Sequence, residues 1–282
     1  MIKCIPVSLL GIFFVLSGCQ RDGFNVALPN KETTLTDVSY GDDSFQKMDV
    51  YLPANRAPKT KIIVYLHGGS WITGDKSEAK EVAGYFQKKG YAFISMNYRL
   101  TGTENNYINP AQLQDIGKAL DFINNQSEQW IITGNRICLF GGSAGGNLSL
   151  LYAYKNTEDK RVKAVISVSG PVDLTDPEIM NTTFRDLIQV FVGSKLSDNK
   201  EAWLGGSPSH YICETSTPTL FFQGKQDNLV PYHQVVLAYN KLLEFGVNTK
   251  LVLYNDGTHG LAEQDHQKIL SEMEDFVNTT YP

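Results

Sequence analysis

Positive charge is nowhere concentrated in this chain of 282 residues: Lys and Arg number 25 against 30 Asp and Glu, the net charge is -5, and no basic run or stripe breaks the balance. A nucleic-acid backbone finds no electrostatic footprint here, so nucleic acid is excluded as a partner. Cysteine is scarce as well. The 4 cysteines form no CxxC and no ligand spacing with His or Asp, so neither a disulfide scaffold nor a metal centre organises the fold, and no cofactor is called for. Internal repeats, low-complexity tracts and coiled-coil heptads are missing too. What remains is a mixed composition, 42% apolar, long enough for one large α/β domain with a sizeable core.

The one long apolar run, Ile5 to Leu16 behind Lys3, is shorter than a membrane-spanning helix requires and reads as an export signal. It closes on Leu16-Ser17-Gly18-Cys19, which resembles the lipobox of bacterial lipoproteins. The resemblance implies that residues 1–18 are removed and that Cys19 receives the lipid. Acyl chains, at about 0.8 kcal/mol per buried methylene, would then hold the protein on a membrane surface of the cell envelope, at the outer membrane or periplasmic side. A plain secretory signal is the alternative. Residues 19–34 are polar and aperiodic, a tether, and residues 35–282 form the domain. Cys138, inside an apolar strand, reads as a buried small hydrophobe rather than as half of a disulfide with Cys213.

Within the domain, apolar runs alternate with amphipathic ones. Leu35 to Tyr40 and Lys47 to Leu52 read as short strands around Gly41-Asp42-Asp43-Ser44. Lys61 to Leu66, Tyr91 to Met96, Arg136 to Phe140, Val162 to Ser169, Thr219 to Gln223 and Thr249 to Tyr254 are further strands. Unbroken apolar runs such as Ile62-Ile63-Val64 belong to a sheet covered on both faces. Helices are expected over Ser77 to Lys89, Pro110 to Asn124, the stretch after Gly146, Tyr232 to Phe245 and Glu263 to Val277, so the sheet is mostly parallel with helices on both sides. Residues 175–215 break the rhythm. With one short helix, Phe184 to Phe191, and otherwise polar loop, they read as a small lid or pocket wall.

One string carries the chemistry. In Gly141-Gly142-Ser143-Ala144-Gly145-Gly146, between a strand and a helix, a serine is flanked two residues away on either side by glycine, the spacing of a tight turn that exposes a nucleophilic hydroxyl. Such a hydroxyl needs a base, and the base needs an acid to orient it. Of the 5 histidines, His259 in Gly257-Thr258-His259-Gly260 follows the last strand and precedes the last helix, whereas His67, His210, His233 and His266 are less well placed. Asp227 lies between serine and histidine in chain order, in the loop Gly224 to Pro231 after a strand. Asp256 is cramped in the loop of His259 itself, and Asp173 is a third candidate. After the strand ending at Leu66, His67-Gly68-Gly69-Ser70-Trp71 offers main-chain amides that glycine brings close to a substrate: Gly68, Gly69 and Ser70, joined by the amide of Ala144, are the expected oxyanion hole, and His67 a brace for the loop. Arg99 either pairs with Asp115 or faces solvent. Trp71, Trp203, Tyr107 and Phe184 either line an acyl pocket or fill the core.

Together with Gly74-Asp75-Lys76, Asn97-Tyr98-Arg99-Leu100 and Ser207-Pro208, these stretches resemble α/β-hydrolases of the hormone-sensitive-lipase-like carboxylesterase group, in particular its acetyl xylan and feruloyl esterase relatives. The resemblance implies an α/β-hydrolase fold and a serine carboxylesterase that cleaves short-chain or aryl esters through an acyl-enzyme. The indicated substrate is a small ester or an acylated carbohydrate, with acetyl or feruloyl groups on plant polysaccharide foremost. Ser70 stands where hormone-sensitive-lipase-like members usually carry a third glycine. Kynurenine formamidase-like amide hydrolases and serine peptidases are alternative readings. A non-catalytic binding lipoprotein on the same scaffold is another, and the retained serine, base and glycines argue against it.

Overall fold

The computed structural model describes residues 28–102, 106–181 and 183–281. Cys19, the expected leader and the start of the tether lie outside the described residues. Eight strands form one sheet: β1 (Thr33–Ser39), β2 (Lys47–Leu52), β3 (Ile62–Leu66), β4 (Ala92–Met96), β5 (Ile137–Gly142), β6 (Val162–Val168), β7 (Thr219–Gly224) and β8 (Thr249–Tyr254). Their spatial order is β1-β2-β4-β3-β5-β6-β7-β8. The β1–β2 and β2–β4 pairs are antiparallel and all pairs from β4 onward are parallel. This mostly parallel sheet with helices on both faces is an α/β-hydrolase fold.

Alternation within the strands feeds two cores. Ile62, Val64 and Leu66 of β3 and Ile137 and Leu139 of β5 point to one face, where they meet α2 (Ala111–Trp130), α3 (Ala144–Lys155) and α6 (Tyr232–Glu244). Ile63, Cys138 and Phe140 point to the other, under α1 (Lys80–Lys88) and α7 (His266–Thr280). On α2 the 3.6-residue period places Ile116, Leu120 and Ile123 fully inside, each stabilising the fold by about 1.5–3 kcal/mol.

The 175–215 segment is more ordered than its composition suggests. It holds α4 (Phe184–Val192) and also α5 (Lys200–Gly205), where only loop is expected. The Asn199 side chain caps α5 by accepting the Ala202 amide, and Trp203 anchors it; six residues are too few to show a period. Likewise α2 continues to Trp130 rather than ending at Asn124, because the buried Trp130 holds a polar last turn that carries no apolar stripe. The first turn of the helix expected from Ser77 is 3-10, Lys76–Ala79, capped by Asp75.

The large aromatics resolve toward the core. Trp71 stacks on Phe191 at 4.3 Å and Phe184 at 5.4 Å, and Trp203 is fully buried with Nε1 donating to Ser194 O. Tyr107 donates to Asp43 at 2.6 Å. Cys138 and Cys213 are free thiols.

Candidate active site

The end of β5 and the start of α3 meet in a turn that only glycine permits at two places. A Cβ on Gly141 would stand 2.3 Å from the Gly145 carbonyl carbon, and one on Gly145 would stand 2.0 Å from Leu66 O. Between them Ser143 adopts φ 51°, ψ -121°, a conformation that costs a non-glycine residue on the order of 1–3 kcal/mol and points its hydroxyl out of the turn. The sheet holds this strain: the Ser143 amide donates to Val168 O on β6 at 2.8 Å.

His259 lies in the loop after β8 and Asp227 in the loop after β7, and His259 stands between Asp227 and Ser143. His259 Nδ1 is 2.8 Å from Asp227 Oδ2, and His259 Nε2 is 2.9 Å from Ser143 Oγ. An ionised carboxylate only accepts, so Nδ1 carries the proton and Nε2 presents its lone pair to the serine hydroxyl. Asp227 Oδ1 accepts the amides of Leu229 and Val230, each at 2.9 Å. Burial alone would raise the Asp227 carboxyl, but the contact with His259 and these two amides outweigh it and hold the group below the ordinary carboxylate range. Neither competing carboxylate meets the imidazole. Asp173 instead accepts the Thr175 amide and hydroxyl, and Asp256 is the residue before Gly257, whose amide closes the turn onto Tyr254 O.

The loop after β3 faces the same point. The carbon a side chain would add at Gly68 would sit 3.6 Å from Ser143 Cβ, so the Gly68 backbone lies against the serine. Gly69, Ser70 and Trp71 follow with φ of 96°, 54° and 62°. Three successive left-handed residues fold the loop into a cup whose Gly68, Gly69 and Ser70 amides donate to no backbone carbonyl among the described residues. Ala144 supplies the first amide of α3. His67 braces this loop. Its ring is buried, stacks on Tyr98 at 4.2 Å, places Nδ1 2.8 Å from Gly68 O, and is kept from protonating by burial. Tyr98 completes the brace by donating to His67 O.

The surrounding polar residues build the frame. Asp115, fully buried, accepts the Arg99 amide, Arg99 Nε and Gln46 Nε2, so Arg99 is paired rather than free in solvent. Asp75 accepts from Ser77 and Asn97, and the buried Lys76 bridges Asp37 and Asp49, tying the loop to the antiparallel edge of the sheet. Ser207 accepts the Leu174 amide and donates to Trp203 O, which fixes the 175–215 segment to the exit of β6.

Two residues that sequence reasoning passed over support the site. Gln223, fully buried at the end of β7, donates through Nε2 to Asp227 Oδ2 at 2.9 Å and lies within reach of the Val230 carbonyl. Asn147 on α3 donates to Pro171 O and Gly206 O, joining the helix behind the nucleophile to the 175–215 segment. The signal for Gln223 was a lone amide in the apolar run Leu220-Phe221-Phe222, just before Gly224-Lys225-Gln226-Asp227.

Among the described residues no group of three His, Cys, Asp or Glu side chains is arranged to hold a metal, and no helix is long and apolar enough to cross a membrane. The arrangement as it stands offers a hydroxyl, an imidazole nitrogen, a buried carboxylate and loop amides, the parts required for acyl transfer.

Residues 48–242, well over half of the chain, match the family model described as BD-FAE. The chain is 27% identical over 218 residues to a protein of Mycobacterium tuberculosis (strain ATCC 25618 / H37Rv) named "Probable carboxylic ester hydrolase LipM", covering 70% of this chain and 49% of that one. It is 27% identical over 261 residues to the acylamino-acid-releasing enzyme of Mus musculus, covering 86% of this chain and 34% of the enzyme. The chain therefore spans half or less of the length of these two relatives. Among solved structures, the bifunctional GH43-CE protein of Bacteroides eggerthii superposes with a TM-score of 0.79 at 26% identity, over 88% of this chain and 38% of the other.

Proposed function

Because the chain belongs to the BD-FAE family, we propose that it is a serine carboxylesterase that hydrolyses short-chain or aryl esters through an acyl-enzyme. The observation that carries this reading is the unbroken relay of Ser143 Oγ, His259 and Asp227, with contacts of 2.9 and 2.8 Å and the serine strained outward on its turn.

The steps follow from the geometry. Ser143 Oγ attacks the ester carbonyl carbon while its proton passes to His259 Nε2. The carbonyl oxygen, now negative, is held by the amides of Gly68, Gly69, Ser70 and Ala144; one such donor is worth about 2.7–4 kcal/mol in a serine hydrolase. As the tetrahedral centre collapses, His259 gives the proton to the leaving alkoxide and the acyl group stays on Ser143. Water attacks that ester, His259 takes a proton from it, and the carboxylic acid leaves as Oγ recovers its hydrogen. Asp227 stabilises the imidazolium in both halves.

Acetyl or feruloyl groups on plant polysaccharide are the esters we favour. The likeness to the bifunctional GH43-CE protein supports an acylated carbohydrate, and the Gly74-Asp75-Lys76 loop supports the same group of esterases. Residues 175–215, fixed to the exit of β6 through Ser207, act as the pocket wall. An amide-cleaving activity is the second reading, favoured by the likeness to the acylamino-acid-releasing enzyme. We also propose a lipid anchor at Cys19 in the bacterial envelope, supported by the order Leu16-Ser17-Gly18-Cys19; globomycin-sensitive processing and lipid labelling abolished by Cys19→Ala are its test.

A kinetic panel of acetyl, butyryl and feruloyl esters, acetylated xylan, N-formylkynurenine and an aminoacyl anilide tests the activity. Ester turnover should fall by about 10⁶ in kcat for Ser143→Ala, with little further loss in Ser143→Ala/His259→Ala, since the two act as a unit. Full turnover by Ser143→Ala removes the nucleophile from the mechanism, and cleavage of the anilide alone replaces esterase with peptidase.

A further inference from the structure

On the far face of the sheet from α3, the helices α1 and α7 and the ends of β3, β5 and β6 enclose a cavity of about 310 Å³. Tyr65, Tyr85 and Phe140 give it aromatic walls, with Tyr65 and Phe140 centred 5.2 Å apart, and Leu270 and Met273 give it an aliphatic one. Two glycines also border it, and both touch the reaction centre through the chain: Gly142 immediately precedes Ser143, and Gly260 immediately follows His259.

These glycines differ from those that shape the turn. A Cβ on Gly142 would find nothing nearer than Val168 O at 3.9 Å, and one on Gly260 nothing within 4 Å. Backbone packing does not demand glycine at either position. With no side chain at either position, the cavity runs up to the backbone next in sequence to Ser143 and His259, and a larger residue at either position would narrow it. The volume is near the lower end of small-molecule sites, about 300–1,000 Å³, and suits one ring with a short arm better than a carbohydrate chain. The acidic groups of its lining are Glu78 and Glu81, with no Lys or Arg to offset them, so a ring bearing a carboxylate would meet repulsion that a neutral ring would not.

We propose that this cavity is the subsite for a neutral aromatic ring carried by the ester, admitted beside Ser143 and His259 by the absent side chains of Gly142 and Gly260. The proposal rests on the esterase reading and specifies its substrate: aromatic esters are selected by a ready-made slot rather than by the 175–215 segment.

The test fills the slot from two sides, with Leu270→Trp on α7 and Gly142→Leu at the turn, each checked for native folding by near-UV circular dichroism. Methyl cinnamate carries the ring on the acyl arm, phenyl acetate on the alcohol arm, and ethyl acetate carries none. In a folded variant the kcat/KM ratio of at least one aryl ester to ethyl acetate should fall tenfold or more, and the ester affected identifies the arm. In the unaltered protein, phenyl acetate should exceed 4-carboxyphenyl acetate about tenfold, a gap that Glu78→Gln/Glu81→Gln narrows. Ratios that stay within twofold in both filled variants overturn the proposal. Calorimetric binding of cinnamyl alcohol to Ser143→Ala, with and without Leu270→Trp, separates the two readings. Binding that Leu270→Trp abolishes, in a protein that turns over no ester, keeps the subsite and removes the esterase. Ester turnover with binding indifferent to Leu270→Trp does the reverse.

Discussion

Gln223 Nε2 donates to Asp227 Oδ2 at 2.9 Å, the same carboxylate oxygen that meets His259 Nδ1. The acid is therefore aimed by a residue of the strand beneath it as well as by its own loop. Gln223→Ala should leave the Val230 carbonyl and one carboxylate lone pair short of a donor inside the protein. We expect a loss of about 1–3 kcal/mol in urea unfolding, and a fall in kcat of about tenfold with little change in KM, as the imidazole loses its fixed orientation. A folded Gln223→Ala with unchanged kcat would confine Gln223 to stability.

The glycines of the turn should separate under substitution. Gly145→Ala drives a Cβ into Leu66 O, a backbone atom with nowhere to go, whereas Gly142→Ala meets only Val168 O at 3.9 Å. Thermal unfolding should show Gly145→Ala destabilised by several kcal/mol, on the order of the largest single-site effects, and Gly142→Ala within about 1 kcal/mol of the parent. Equal losses at the two sites would contradict the packing described for the turn.

Arg99 and Asp115 should behave as a buried pair. Asp115 is fully enclosed and Arg99 half-buried, so Arg99→Met leaves a buried carboxylate without its cation and should cost about 3–5 kcal/mol. Arg99→Met/Asp115→Leu should recover much of it. Denaturation midpoints of the two variants, at unchanged m-value, make the comparison; a double variant no better than the single one counts against the pairing as the source of the loss.

Acid should act on stability through carboxyls that the fold holds low. Burial alone would raise the Asp75 carboxyl, yet hydrogen bonds from Ser77 and Asn97 outweigh it and bring the group down to about 2. A carboxyl lowered in the folded state adds stability that is complete above its unfolded value, about 3.9, and is lost as the pH falls through the folded one. Asp227, lowered in the same sense, adds to the same window. Tm measured from pH 5 to pH 2 should therefore drop most steeply below about pH 4, and Asp75→Asn should flatten that drop. A drop below about pH 4 that Asp75→Asn leaves unchanged would remove Asp75 as its source.

The sequence was most legible where position follows from a strand end. Ser143, Asp227 and His259 each lie just beyond a strand of the parallel part of the sheet, and the structure brings the three side chains into hydrogen-bond reach. The sequence was silent where the role depends on depth. Gln223 looks like one polar interruption of a strand, and nothing local reveals that its amide is sealed under the Asp227 loop. Trp71 and Trp203 were ambiguous for the same reason, since an indole in a loop is equally suited to a pocket or a core until its neighbours are known. In Gly141 to Gly146 the letters are alike but the constraints are not: positions 141 and 145 answer to backbone atoms, and position 142 to none.

The bond from the Ser143 amide to Val168 O makes Ser143 the last rung of the ladder between β5 and β6. The cavity beside it and the 175–215 segment are built chiefly from helices and loops that hang on that ladder. Change is thus partitioned by address. Substitutions in those walls can reshape the cavity while Ser143 Oγ, held through the backbone bond to β6, stays where it is.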